Sequence, residues 1–320
     1  MAKSLGKKLK GEGAGVKASP LKKSAATKAI STKKAKGNAS PKKVSKPNMP
    51  INIDSSHSPS ELQATLINAE KLHLKGQLQE AWVLYQDILR QEPAHYAAIH
   101  GMGLIAAQMK SYSMAIDLFD NAIAVDKTNP RAYSNLANAL ASEGKNALAI
   151  KNYDKALVLD PGYIDAIKNR GIVRAELKRY KEALADFDRV LELAPGYWRA
   201  HIYTANVLIS MGELDKALQA YDFGLAANPN SAALCNNVGA ILCSMGRFKT
   251  ALPKLDRAIK INPQYAEAFN NRAVALIGLK RNQEALQDYD HALVIKPQYP
   301  DAMIGRAKLQ ASMNLWERVG

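Results

Sequence analysis

The chain has 320 residues, 47% of them apolar and 23% charged, with a formal net charge of +15 at pH 7. No apolar run is long enough for a transmembrane helix, and the lysine-rich beginning lacks the hydrophobic core of a secretory signal, so soluble, cytoplasmic residence is the expectation. The only cysteines, Cys235 and Cys243, stand eight residues apart in one predicted helix; two turns of separation exclude a direct intrahelical disulfide.

The first segment, residues 1–60, is a Lys/Ala/Ser/Pro-rich tail and linker. Its first 50 residues hold 14 lysines against one acidic residue, Glu12, and therefore carry nearly the whole net charge. With no aromatic residue and little apolar periodicity, this stretch cannot bury enough surface to offset chain entropy, and disorder is expected. Three roles are open to it: a solubilising tail or tether, nonspecific contact with nucleic acid or an anionic surface, or targeting. "SSHSPSELQ" marks the change to the next segment, where Ser58 or Ser60 is placed to cap an incoming helix.

From there a 34-residue period governs the chain. Pro93, Pro161, Pro195, Pro229, Pro263 and Pro297 share one frame, and Lys127 fills its vacant slot. Ala81, Ala115, Ala149, Ala183, Ala217, Ala251 and Ala285 recur in the same frame. Four residues after each stands a large side chain: Tyr85, Phe119, Tyr153, Phe187, Tyr221, Leu255 and Tyr289. One helical turn separates the members of each pair, so a small hole lies beside a large knob. Between proline slots, each period divides into two amphipathic helices joined by turns such as "SEGKN" and "SMGEL". One such pair cannot hide both apolar faces, so successive pairs must stack.

Seven pairs begin near Leu62, Tyr96, Pro130, Ile164, Trp198, Ala232 and Ala266 and fill residues 61–299. Pro253 falls inside a second helix, where it removes an amide donor, and a bend or a late helix start is expected there. Residues 300–320 form a capping helix or an incomplete eighth repeat, or equally a truncation edge, since Trp316 and Val319 would leave apolar surface unless something covers them.

The period and its recurring positions resemble the tetratricopeptide repeat family. Gly103, Gly171 and Gly239 stand at that family's first-helix glycine position, and Ala137, Ala205 and Ala273 replace it elsewhere. The resemblance covers residues 62–320 and implies an all-α, right-handed superhelical solenoid whose first helices line a concave groove. It also supplies the alignment of an inner line made by Asn135, Asn169, Tyr203, Asn237 and Asn271, with Asn138, Asn206, Asn236 and Asn270 nearby. Arg131, Lys168 and Arg199 add positive charge along that face, and Asp165 and Glu267 oppose it.

An asparagine offers a donor and an acceptor without charge, which matches the alternating C=O and N–H groups of an extended peptide. The ladder is similar to those in the repeat arrays of O-linked N-acetylglucosamine transferases, which favours capture of a protein or extended peptide. The competing reading has the amides bracing adjacent helices or remaining hydrated. The face departs from the family's carboxylate clamp for chaperone tails. Ile172 stands where the clamp has Asn, and Asp301 and Gly305 stand where a later helix would carry Lys and Arg.

Nothing in the chain spells an enzyme. His57, His73, His95, His100, His201 and His291 form no HExxH or clustered ligand set, and "GEGAGVKAS" lacks phosphate-loop spacing. The expectation is a noncatalytic scaffold without metal or cofactor. The alternative is the substrate-recognition segment of a larger glycosyltransferase-like enzyme, because arrays opening like "AEKLHLKGQLQEAWVLYQDILRQEP" often precede catalytic domains.

Overall fold

The computed structural model describes residues 59–317, with side chains from 60 to 313. The expectations of disorder in the tail, of polyanion contact through it, of a cap at Ser58, and of exposed apolar side chains at Trp316 and Val319 lie outside the described residues.

Every element among the described residues is a helix. The first helices of the pairs are α1 (Pro59–Leu74), α3 (Tyr96–Gln108), α5 (Pro130–Ser142), α7 (Ile164–Glu176), α9 (Arg199–Ser210), α11 (Ala232–Ser244) and α13 (Ala266–Gly278). Their partners are α2 (Leu78–Gln91), α4 (Tyr112–Val125), α6 (Asn146–Leu159), α8 (Tyr180–Leu193), α10 (Leu214–Ala227), α12 (Phe248–Ile261) and α14 (Asn282–Ile295), and α15 (Pro300–Glu317) follows. The pairs stack in chain order as an all-α right-handed solenoid. Each second helix packs on its own first helix and on the next one, and first helices also touch one another, as α3, α5, α7 and α9 do in series. The first helices therefore line the inner side.

Turn chemistry sets the period. Between the two helices of every pair, one residue adopts a left-handed backbone: Gly76, Lys110, Gly144, Lys178, Gly212, Gly246 and Lys280. The following amide reaches back five residues, for example from Arg179 N to Arg174 O at 2.8 Å and from Arg281 N to Leu276 O at 2.9 Å, closing the helix end. Lysine has a Cβ that crowds this conformation, so three repeats carry local strain that glycine avoids in the other four.

Knobs and holes form the core. Ala81, Ala115, Ala149, Ala183, Ala217, Ala251 and Ala285 are fully buried, and the seven large residues one turn later are buried with them. Each such side chain contributes about 1.5–3 kcal/mol of apolar burial. The knob fits between two first helices: a Cβ on Gly103 would stand 2.6 Å from Phe119 of the same repeat, and one on Gly101 would stand 2.5 Å from Tyr85 of the preceding repeat. Cys235 is buried and Cys243 half-buried, and both are free thiols.

The helix boundaries keep close to the expected frames. The first helix begins at Pro59, three residues before Leu62, so Ser60 lies inside it, and α9 begins at Arg199, within one residue of Trp198. Pro253 does not delay its helix, since α12 starts at Phe248 in frame and has the same 14 residues as its counterparts. Its ring is exposed, away from the packed face, and only one backbone donor is lost. Finally, α15 runs 18 residues, straight through Asn314, which occupies the frame of the left-handed turn. No helix among the described residues is long and apolar enough to cross a membrane.

Candidate functional site

The candidate site is the inner face made by α5, α7, α9, α11 and α13. Its asparagines come together in small hydrogen-bonded groups that join successive repeats. In the first, Asn138 Oδ1 accepts from the Tyr153 hydroxyl at 2.6 Å and from Asn169 Nδ2 at 2.9 Å, linking α5, α6 and α7. Two periods later the same positions recur: the Tyr221 hydroxyl donates to Asn206 Oδ1 at 2.8 Å. Burial pushes both phenols well above the usual tyrosine range, so they remain neutral donors at any physiological pH.

A second kind of link uses different positions. Asn271 Nδ2 donates to Asn236 Oδ1 at 2.9 Å, joining α13 to α11, and Asn270 Nδ2 lies 3.5 Å from Asn271 Oδ1. Asn236 is 4% exposed and Asn270 8%, so these two amides lie mostly under the surface, and Asn236 also meets the Tyr265 hydroxyl. Asn135 Nδ2 meets His100 Nε2 at 2.9 Å across α5 and α3. Burial, with help from Arg131, lowers the His100 pKa to about 4, so that ring is a neutral acceptor for the amide.

The remaining predicted residues stand outside this network. Tyr203 occupies the amide frame in α9 but stacks on Phe187, with ring centroids 5.4 Å apart. Lys168 is bound to Asp165 at 2.6 Å, which cancels its charge locally. Arg199 lies over the Trp198 ring at 4.7 Å, leaving its edge to solvent, and Arg131 is exposed. Among the described residues the face thus presents two cations, Arg131 and Arg199, without carboxylate partners, one at each end of a stretch that holds Asn135, Asn138 and Asn169.

Sequence reasoning missed a second set of contacts, beside the knobs. Arg170 on α7 bonds to Asp154 of the preceding repeat at 2.6 Å and to Asp186 of its own repeat at 2.6 and 3.2 Å. Three periods on, Arg272 does the same with Asp256 at 2.7 Å and Asp288 at 2.7 and 2.8 Å. Burial works against the charge on Arg170, and the bonds from Asp186 and Asp154 outweigh it. The signal was present: each arginine has an aspartate 16 residues before it and another 16 after it.

Models of the tetratricopeptide repeat match residues 130–163, 174–236 and 242–300. No curated protein gives a match. Among solved structures, a tetratricopeptide repeat protein from Parabacteroides merdae is similar at TM-score 0.61 and 19% identity, over 78% of this chain and 99% of that one. The C-terminal part of a repeat-containing protein from Cytophaga hutchinsonii is similar at TM-score 0.60 and 14% identity, over 75% and 98%. PilF of Pseudomonas aeruginosa follows at 0.56 and 20%, over 68% and 98%. At these identities the likeness is one of fold.

Proposed function

Because the chain is a tetratricopeptide repeat protein, a fold that supports protein–protein interaction, we propose that it is a noncatalytic scaffold whose inner face holds an extended peptide by its backbone. The observation behind this reading is how the braces leave their amides. Asn138 uses its oxygen internally and keeps Nδ2, whereas Asn169 uses Nδ2 and keeps its oxygen. Asn135 likewise keeps its oxygen, and Asn206 keeps Nδ2. A fixed series of acceptors and donors fits the N–H and C=O groups of an extended strand, and amides already held in place lose little freedom on binding. Bracing and ligand contact are then two uses of the same side chains. Arg131 and Arg199 would favour acidic side chains on the part of the peptide over α5 to α9, and residues 1–50 would tether the assembly to a polyanion.

The test is peptide-display selection on the intact chain, followed by affinity measurement with Asn135→Ala, Asn169→Ala, Asn237→Ala and Asn271→Ala combined. Thermal unfolding must first establish that the variant is folded, because each change also removes a brace. Affinity for extended peptides is expected to fall about tenfold or more. A folded variant that binds every selected peptide as before removes the amides from the mechanism.

A further inference from the structure

Two repeats three periods apart share five charged positions: Asp154 and Asp256, Arg170 and Arg272, Arg179 and Arg281, Glu182 and Glu284, Asp186 and Asp288. They are paired alike. Arg170 and Arg272 each join the aspartates before and after them, and Arg179 and Arg281 each donate two bonds of 2.6 Å to the glutamate three residues on. A sixth position differs. Arg174 donates from Nη1 to Asp186 Oδ2 at 2.7 Å and brings Nη2 to 3.7 Å from Glu182 Oε2, whereas its counterpart is Leu276.

Leucine leaves space where a guanidinium would stand. A cavity of about 160 Å³ lies between α12, α13 and α14, with Asp256, Arg272, Leu276, Arg281, Glu284 and Asp288 on its walls. About 10–15 Å³ suffices for one water, so this space takes a larger group. Its three carboxylates meet two guanidiniums, one fewer than the matching carboxylates meet around Arg174. Among the described residues Asp288 Oδ2 accepts only from Arg272 Nε, at 2.8 Å, where Asp186 Oδ2 accepts from two arginines. The Asp288 side chain is 5% exposed, so the surplus negative charge is weakly screened, while Glu284, at 52%, opens the cavity to solvent.

Charge alone would admit any cation, and the filled site around Arg174 narrows the choice. A flat fork spans an aspartate and a glutamate at once, which a compact, strongly hydrated ammonium does less well. We propose that this cavity binds the guanidinium of an arginine side chain carried by a partner protein, seated on Asp288 and Glu284 as Arg174 sits on Asp186 and Glu182. The stem of the incoming arginine lies along Leu276. A protein is the expected source because the fold supports protein–protein interaction. This site rests on none of the inner-face asparagines.

The probe is N-acetyl-arginine methylamide, titrated into the isotope-labelled full chain at constant ionic strength and followed by amide NMR shifts. Saturable shifts are expected around Leu276, Glu284 and Asp288, with N-acetyl-lysine methylamide binding about tenfold more weakly. Glu284→Gln, at an exposed side chain, is expected to weaken binding about threefold or more while leaving the unfolding temperature nearly unchanged. Leu276→Arg supplies the missing guanidinium from the chain itself and is expected to abolish binding. The reverse change, Arg174→Leu, is expected to create a second set of saturable shifts around Glu182 and Asp186, and it tests the same chemistry where Leu276→Arg fails to fold. Absence of saturable shifts around the cavity, equal affinity for the lysine probe, or indifference to both Glu284→Gln and a folded Leu276→Arg overturns the proposal. Binding of free arginine without binding of the blocked probe overturns the assignment to a protein-borne side chain.

Discussion

The two arginine centres, at Arg170 and at Arg272, are the same device in different surroundings. In both, a guanidinium on a first helix joins aspartates on the second helices before and after it. Around Arg170, however, Arg174 also binds Asp186 at 2.7 Å and lies 3.7 Å from Glu182, so one aspartate at 4% side-chain exposure serves two arginines. Around Arg272 the position of Arg174 is taken by Leu276, which is buried, and Asp288 serves one arginine alone. The knob differs too: Phe187 in the first region, Tyr289 in the second. A fixed helical scaffold therefore accepts an ionic or an apolar solution at one slot, provided each buried charge is paired.

The difference should show most in the aspartates. Removing one partner from a buried pair leaves an uncompensated charge, which costs about 3–5 kcal/mol. Asp186→Ala takes a partner from two arginines, leaving Arg170 with Asp154 and Arg174 with only the more distant Glu182, and is expected at the top of that range, ~5 kcal/mol, whereas Asp288→Ala takes one from Arg272, which keeps Asp256, and is expected near ~3 kcal/mol. Hydrogen exchange of the flanking helices reads both, and equal losses would break the distinction.

Alkaline pH separates the knobs. Burial raises the Tyr289 phenol from 10.0 to about 12. The unfolded chain then ionises first, so the tyrosine's contribution is complete below pH 10 and is lost as pH climbs from 10 to 12, by up to roughly 2–3 kcal/mol. Tyr289→Phe copies the other region's knob and is expected to remove that part of the slope of stability against pH, as followed by circular dichroism. Phe187 cannot titrate, so Phe187→Tyr is expected to add such a slope.

Where the regions agree, the effects should match. Ala183→Leu and Ala285→Leu overfill the same hole beside their knobs and are each expected to destabilise by about 1–3 kcal/mol in urea unfolding. The smallest effect has the opposite sign. Lys178 and Lys280 hold φ of 60° and 63° in turns that glycine supplies elsewhere, so Lys178→Gly and Lys280→Gly are each expected to stabilise by about 1 kcal/mol. A loss at either position would show that the lysine stem packs against something worth more than the strain.

From sequence alone came the period, the pairing of helices, the burial of alanines beside aromatic knobs, and the placing of turns between them. These follow from spacing, because a residue's position along a helix decides its face, and the 34-residue repeat gives each face the same neighbour. The inner-line positions of the asparagines came from the family alignment. Only the tertiary structure decided their partners. Asn169 takes Asn138, 31 residues back, while Asn135 takes His100 and Asn271 takes Asn236, each 35 residues back. Two such bonds differ by one helical turn in the partner, and the choice depends on which acceptor lies within about 3 Å after the helices have stacked. The same holds for Pro253, whose cost depends on whether its ring faces solvent or a neighbour.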